Sequence, residues 1–433
     1  MAKVALGTRY LVCRTAVLLA VVLGPAGGAG AVTFSQDFDS GSLNVGATVV
    51  SGDLVTLEPR RFASPEWGGD HWWIYFSASG VAGRSLTFRV PATGMFQPYQ
   101  SAHRFVYSFD RVNWQFFDSG GYSSNQEYYL FSNAAPFSAD EVYIAYGLPY
   151  PVGAVDAHAA ARRASPYVAP TGSSDANFVL GRTGGGTDEL GRLVGQQDLY
   201  AYRVSDFSAG GCKKRVVLTA GNHSGETTAN WTLQGMVDFL TSDDPVAAAL
   251  RQTAEFLVYP MTDPDGRYAG YFRSNPENPA KDHNRYWNSP GGFTDLTQIV
   301  SAMRTDSGGD VDCFLDFHSS GWSGSLGMMA GRPSQELGAF MEALIQREPD
   351  ANHIYYLDAP GAASNWAASP DGLLAELSLT PEVGFLAGEQ PQRYFELGRN
   401  YALALYDFIP EPGAAVMLLA GTVAVLRRRG NPR

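Results

Sequence analysis

The sequence predicts two folded parts in series: an all-β sandwich over residues 32–151, then an α/β domain over residues 152–408 with a mixed or parallel sheet flanked by helices. Three observations carry this. Short runs rich in Tyr, Phe, Trp and Val recur between turn residues in the first part. Apolar strand-like runs alternate with helix-period segments in the second. The 48 glycines and 12% aromatic content suit β structure joined by long loops. With 433 residues, 45% of them hydrophobic and 17% charged, the chain can bury two or three cores.

The two ends read as addresses. In residues 1–31, Lys3, Arg9 and Arg14 precede the apolar run "TAVLLAVVLG", and Ala29, Gly30 and Ala31 supply a small-residue cleavage site. That order is a secretory signal peptide, and its apolar run is too short for an ordinary membrane span. Residues 409–433 pass from Pro-Glu-Pro at 410–412 through a short apolar segment to Arg427, Arg428 and Arg429. Positive residues resist translocation, so the triplet acts as a stop. The arrangement resembles the PEP-CTERM sorting signal of Gram-negative bacteria, which implies an exosortase-type sorting enzyme as a partner. A plain C-terminal anchor is the alternative. Either way the protein is expected to be exported, to the cell envelope, cell surface or extracellular matrix.

Removal of the signal peptide removes Cys13 and leaves Cys212 and Cys313. An oxidising compartment permits one disulfide between them, and two buried free thiols fit equally well. The net charge of −12, with no basic stretch inside the folded part, argues against nucleic acid as the partner.

Element by element, "HWWIYFSASG", "RSLTFRV", "HRFVYSFD", "EYYLFS" and "EVYIAYG" read as sandwich strands, their aromatics serving as core and sheet-face packing. Residues 152–187 read as a loop-like passage with one short helix, and "GRTGGGT" as a flexible connection, since it lacks the Lys-Ser/Thr ending of a phosphate loop. "LYAYRVSD" and "RVVLTAG" follow as strands, "ANWTLQGMVDFLTS" as a helix, and "EFLVYPM" and "CFLDFH" as strands. "SQELGAFMEALIQRE" is then a helix, "LLAELSLTPEV" a strand and "PQRYFELGRNYALALYDFI" a closing helix.

Three features of the second part converge on chemistry. His223 and Glu226 stand at the carboxyl end of "RVVLTAG", where open α/β sheets place their ligands. His318 ends "FLDFH", beside small residues that leave room; alone it would more often be a hydrogen-bonded structural residue. Glu376 and Glu382 lie in the otherwise apolar "LLAELSLTPEVGF", and a buried carboxylate needs a partner or a task. Two histidines and one carboxylate leave a tetrahedral zinc with an open position, the arrangement of hydrolytic zinc sites.

The order "HSGE … FRS … DHNRYW … LDFHSSG … LTPEVGF" resembles the zinc metallocarboxypeptidases, most of all the cytosolic carboxypeptidases and their bacterial relatives, which carry a β-sandwich before the catalytic domain. The resemblance implies a carboxypeptidase-like catalytic domain that removes residues from peptide or protein C-termini with one Zn2+ per chain. It implies His223, Glu226 and His318 as the zinc ligands and Glu382 as the general base. Thr380 and Phe385 stand in register around Glu382, whereas Glu376 lacks such flanks. Arg273 would hold the oxyanion. Asn284 and Arg285 would grip the substrate's terminal carboxylate, and Asp282 would fix a ligand histidine. Tyr356 is the match to the substrate-binding tyrosine, with Tyr355 close behind. Without that context, Arg273 and Arg285 read as surface ion-pair partners and Asp282 as a loop cap.

Three positions depart from the resembled pattern, the first being Ser224, since "HSGE" stands where His-Pro-Gly-Glu is usual. "DPDG" at 263–266 stands where Asn-Pro-Asp-Gly is commoner, and His283 stands where an apolar residue is usual. His283 reads as a wall of the pocket. The rival functions are a zinc amidohydrolase acting on N-acyl amino acids and a catalytically inactive surface binding module.

Overall fold

The computed structural model describes residues 31–64, 69–71, 73–92, 105–319, 327–331, 334–351, 353–356, 359–384 and 390–409. The expected signal peptide and sorting segment lie outside the described residues, apart from Ala31 and Ile409, and so does Phe385. Among the described residues no helix is long and apolar enough to cross a membrane.

The first part is built from two five-stranded sheets. One runs Thr33–Ser35, Tyr75–Ser79, Glu141–Tyr146, Phe105–Ser108 and Gln115–Phe116 in spatial order. The other runs Ser119–Tyr122, Tyr128–Ser132, Thr87–Pro91, Leu54–Thr56 and Val49–Ser51. Every pairing is antiparallel except that of Leu54–Thr56 with Thr87–Pro91. All five aromatic runs contain strands, and their alternation is visible in Thr87–Pro91, where Phe88 and Val90 are buried between partly exposed neighbours. Phe105 of one sheet stacks on Phe131 of the other at 3.8 Å between ring centres, and Phe131 stacks on Phe88 at 5.3 Å. The rings are therefore the seam between the sheets.

The second part is organised by an eight-stranded mixed sheet. Its order is Val168–Pro170, Tyr202–Val204, Ala254–Tyr259, Lys214–Ala220, Cys313–Phe317, Leu377–Glu382, Gly327–Ala330, His353–Tyr356. The four strands from Ala254–Tyr259 to Leu377–Glu382 are mutually parallel, and antiparallel pairings flank them on both sides. Fully buried runs such as Cys313–Phe317 are what a strand covered on both faces requires. Helices Thr227–Leu240 and Pro391–Phe408 pack together over this sheet, and helix Thr294–Ser307 contributes Leu296, Ile299, Val300 and Met303 to a second buried cluster.

Three local expectations need correction. "LYAYRVSD" is two strands, Asp198–Tyr200 and Tyr202–Val204, which join different sheets. "GRTGGGT" is pinned: Thr183 Oγ1 and Gly185 N donate to the two carboxylate oxygens of Asp265 at 2.5 and 2.7 Å. The cysteines are both free, and only Cys313 is buried. Cys212 lies outside its strand, so it misses the register that pairs Cys313 with Val216.

The sandwich is fastened to the sheet domain by buried charge. Arg60 donates to Glu189, Asp188 and the Ala269 carbonyl, at 2.7, 3.2 and 2.7 Å. Arg192 reaches the same Asp188 and Ala269 groups, and also the Gln36 carbonyl of the sandwich. Asp39 accepts from the Val152 and Gly153 amides at the start of helix Val152–Arg162, where two otherwise unpaired donors point.

Candidate metal centre

Three strand ends bring the chemistry together. His223 and Glu226 follow Lys214–Ala220 in a turn that leads straight into helix Thr227–Leu240, with Glu226 at its N-cap position. Gly225 is required inside this turn, because a Cβ there would lie 2.3 Å from the Phe272 ring, and its amide donates to the Phe272 carbonyl. His318 follows the neighbouring strand Cys313–Phe317. It is clamped beside the end of Leu377–Glu382: its amide donates to the Pro381 carbonyl, and its carbonyl accepts from Val383, both at 2.8 Å. The ligand-bearing ends therefore share one edge of the sheet.

His223, Glu226 and His318 are all buried, at 3%, 4% and 2% exposure. Glu226 Oε1 lies 2.8 Å from His223 Nδ1, Glu226 Oε2 lies 2.8 Å from His318 Nδ1, and the two Nδ1 atoms are 3.1 Å apart. The far ring nitrogens are occupied by carboxylates. His223 Nε2 faces Asp282 Oδ1 at 3.0 Å, and His318 Nε2 faces Asp316 Oδ2 at 2.9 Å. With the Nε2 protons donated there, both Nδ1 lone pairs and the Glu226 carboxylate aim at a single spot. Three electron-pair donors converging in a buried place suit a cation, and two imidazoles plus one carboxylate are the ligand set of hydrolytic zinc. The alternative occupant is a proton. Burial works against charge on His318, but Asp316 and Glu226 outweigh it and raise its pKa well above the ordinary value. Burial likewise works to raise Glu226, and His223 and His318 hold it well below the usual carboxylate range.

The supports are themselves supported. Asp282 also accepts from the Asn284 amide and from Arg273 Nε, at 2.9 and 3.0 Å. Asp316 accepts from Thr219 Oγ1 at 2.6 Å and from Asn222 Nδ2 at 3.1 Å. The Ser319 amide donates to Glu226 Oε2 at 2.9 Å.

The other expected site residues fall around this core. Glu382 ends its strand beside His318; burial and the negative Glu226 push it up to about 7, against the opposing pull of His318 and Arg273. Arg273 Nη1 lies 3.6 Å from Glu226 Oε1. Asn284 is buried with Nδ2 3.3 Å from His318 Nε2, while its Oδ1 accepts from the Ala363 amide. Arg285 is partly exposed, donates to the Asn284 carbonyl at 2.6 Å, and helps to lower Asp282. Tyr356 is not brought to the cluster by any contact among the described residues: it sits on the edge strand, 54% exposed. Tyr355 is nearer, because its ring and the Glu382 Cβ both flank Gly327, within 3.1 and 3.3 Å of where a Cβ would stand. Glu376, expected in apolar surroundings, is instead exposed just before its strand.

Asp316 was missed in the sequence. The signal was present, since a strand alternates its faces and Asp316 lies two residues before His318, on the same side. Asp316→Asn should weaken zinc binding about 10- to 100-fold while the fold is kept. Competition with a chromogenic chelator measures this, and an unchanged affinity would remove Asp316 from the site's support.

The family model for zinc carboxypeptidases matches residues 187–319. Human cytosolic carboxypeptidase 6 is 32% identical over 250 residues, covering 51% of this chain and 49% of the relative. Mouse cytosolic carboxypeptidase 4 is 36% identical over 112 residues, 25% of this chain and 10% of that protein. The chain thus spans half or less of the length of these curated relatives. A metallo-carboxypeptidase structure from Burkholderia cenocepacia superposes with a TM-score of 0.72 at 24% identity, over 87% of this chain and 98% of that one. One from Pseudomonas aeruginosa gives 0.66 at 21%, over 87% and 100%. The chain therefore has the metallocarboxypeptidase fold, and its residues 187–319, which supply His223, Glu226 and His318, match the family model for zinc carboxypeptidases.

Proposed function

We propose that this protein is an exported zinc-dependent carboxypeptidase that hydrolyses C-terminal peptide or isopeptide bonds. The observation that carries the reading is the convergence of two Nδ1 lone pairs and one carboxylate on a buried spot, with a half-buried carboxylate and a guanidinium beside it. His223, Glu226 and His318 would hold the zinc, which when bound polarises the scissile carbonyl and makes a neighbouring water more acidic. Glu382 takes the proton of the attacking water and returns it to the leaving amine. Arg273 faces the negative charge that develops on the carbonyl oxygen, and its orientation is fixed by Asp282. Asn284 and Arg285 receive the substrate's terminal carboxylate, for which a planar guanidinium is suited. Tyr355 or Tyr356 closes over the substrate.

Ser364, buried before Asn365 and Trp366, presents no charge, so the pocket announces no basic or acidic side-chain preference. Digestion of a C-terminal peptide library, read by mass spectrometry, tests the assignment. Stepwise loss of single C-terminal residues is expected. Hydrolysis of N-acyl amino acids alone would assign an amidohydrolase, and no hydrolysis of either by the zinc-loaded protein would assign a binding module. Export and recognition by an exosortase-type enzyme rest on the sequences of residues 1–31 and 409–433, and mass analysis of the mature chain from a Gram-negative host reads both cleavages.

A further inference from the structure

The geometry points to a second cation site, separate from the first, formed by Asp263, His283 and Asp295 and suited to a divalent transition-metal ion such as zinc. One donor atom from each lies within 4.8 Å of the others, and the residues are 0%, 0% and 1% exposed. They come from three different elements: the N-cap of helix Pro264–Ala269, the turn His283–Arg285, and the first turn of helix Thr294–Ser307.

Four observations favour a metal over a simple buried ion pair. First, Asp263 Oδ1 accepts from the Gly266 amide at 2.9 Å, but its Oδ2 is buried with no hydrogen-bond partner. An unpaired buried carboxylate oxygen is costly and calls for a ligand.

Second, the tautomer of His283 is fixed from outside. Asn222 donates through Nδ2 to Asp316, so its Oδ1 faces His283 Nδ1 at 2.8 Å and also accepts from Trp287 Nε1. Nδ1 therefore carries a proton, and Nε2, facing Asp295, is the nitrogen available to the cluster. Metal-bound histidines are anchored through their other nitrogen in this manner.

Third, His283 Nε2 and Asp295 Oδ1 are 3.3 Å apart. A charge-assisted bond closes to about 2.7–2.9 Å. The pair is thus looser than a committed ion pair, and Asp295 Oδ1 also accepts from the Leu296 amide at 2.6 Å.

Fourth, two further carboxylates, of Asp295 and Asp265, lie close enough to act on Asp263, with His283 opposing them. The cation proposed adds positive charge beside these carboxylates. Two of the departures noted in the sequence, Asp263 and His283, thus meet in one place. By holding the turn that carries Asp282 and Asn284, an ion here would steady the residues facing His223 and His318.

The test uses the full chain, loaded with zinc and dialysed. Elemental analysis should give about two zinc ions per chain, falling to about one in His318→Ala and to none when His283→Leu is added. Where His283→Leu fails to fold, Asp263→Asn replaces it. Crystals measured at the zinc absorption edge should show separate anomalous peaks, one among His223, Glu226 and His318 and one among Asp263, His283 and Asp295. Absence of the second peak, or a folded His318→Ala protein without zinc, overturns the second site whatever the first one holds. Absence of only the first peak would count against the catalytic assignment instead.

Discussion

Glu382→Gln should lower kcat on the best peptide substrate by about 10²- to 10⁴-fold, with zinc content and KM little changed. The amide keeps the shape and burial of the side chain but cannot take a proton from water. Its neighbours are already arranged for the carboxylate: His318 sits in bridge register beside it, and Glu226 and burial raise it to about 7 while His318 and Arg273 pull it down. A base must be ionised to act, so activity falls as pH drops through its pKa. A cation in the neighbouring site favours the ionised form, which places the acid limb of kcat/KM at or below about 7. In Glu382→Gln that limb should vanish along with most of the rate. Glu376→Gln is the control, since that side chain is exposed just before the strand's start, at the opposite end from Glu382, and should leave kcat unchanged. Full activity in Glu382→Gln would show that another group is the base.

The site was legible where local rules suffice. A strand end followed by a His and a Glu three residues on, and a second strand end bearing a His beside small residues, place ligands by the geometry of α/β sheets alone. The ordering of the sheet was not legible. That Cys313–Phe317 lies between Lys214–Ala220 and Leu377–Glu382, which brings His318 to both Glu226 and Glu382, is a long-range pairing that no local period encodes. Asp316 was hidden for a related reason: its value depends on which way its strand faces, and a single polar residue in an apolar run reads as an interruption. Sandwich strands of two to four residues, such as Gln115–Phe116 and Ser119–Tyr122, are too short to show alternation. Helix Pro245–Thr253 did carry its signals, an Asp244 side chain that caps the Val246 amide and a proline at the first position. His283 was read as a wall because the residue it meets, Asp295, lies in a helix the sequence reading did not single out.

The crossing of helices Thr227–Leu240 and Pro391–Phe408 yields a result opposite to what helix propensity dictates. Replacing an exposed mid-helix glycine by alanine ordinarily stabilises by about 0.5–1 kcal/mol, because alanine loses less backbone entropy on folding. Gly338, on the exposed face of helix Gln335–Ile345 with nothing within 4 Å of a built Cβ, should follow that rule. Gly398 should not. A Cβ there would stand 2.1 Å from the Thr232 carbonyl oxygen and 2.5 Å from the Met236 nitrogen, and one on Gly235 would stand 2.2 Å from the Phe395 Cα. These are backbone atoms, so no rotamer change relieves the contact and the helices must separate. Gly398→Ala should therefore destabilise by about 1–3 kcal/mol, and Gly398→Val by more. The damage should reach the metal, because Glu226 stands at the N-cap position of the displaced helix and Thr228 in its first turn is hydrogen-bonded to Ser319, next to His318. Urea unfolding of Gly338→Ala and Gly398→Ala, with zinc affinity measured on the folded proteins, reads both effects. If Gly398→Ala were as stabilising as Gly338→Ala, the close crossing, and with it the route from helix packing to Glu226, would be refuted.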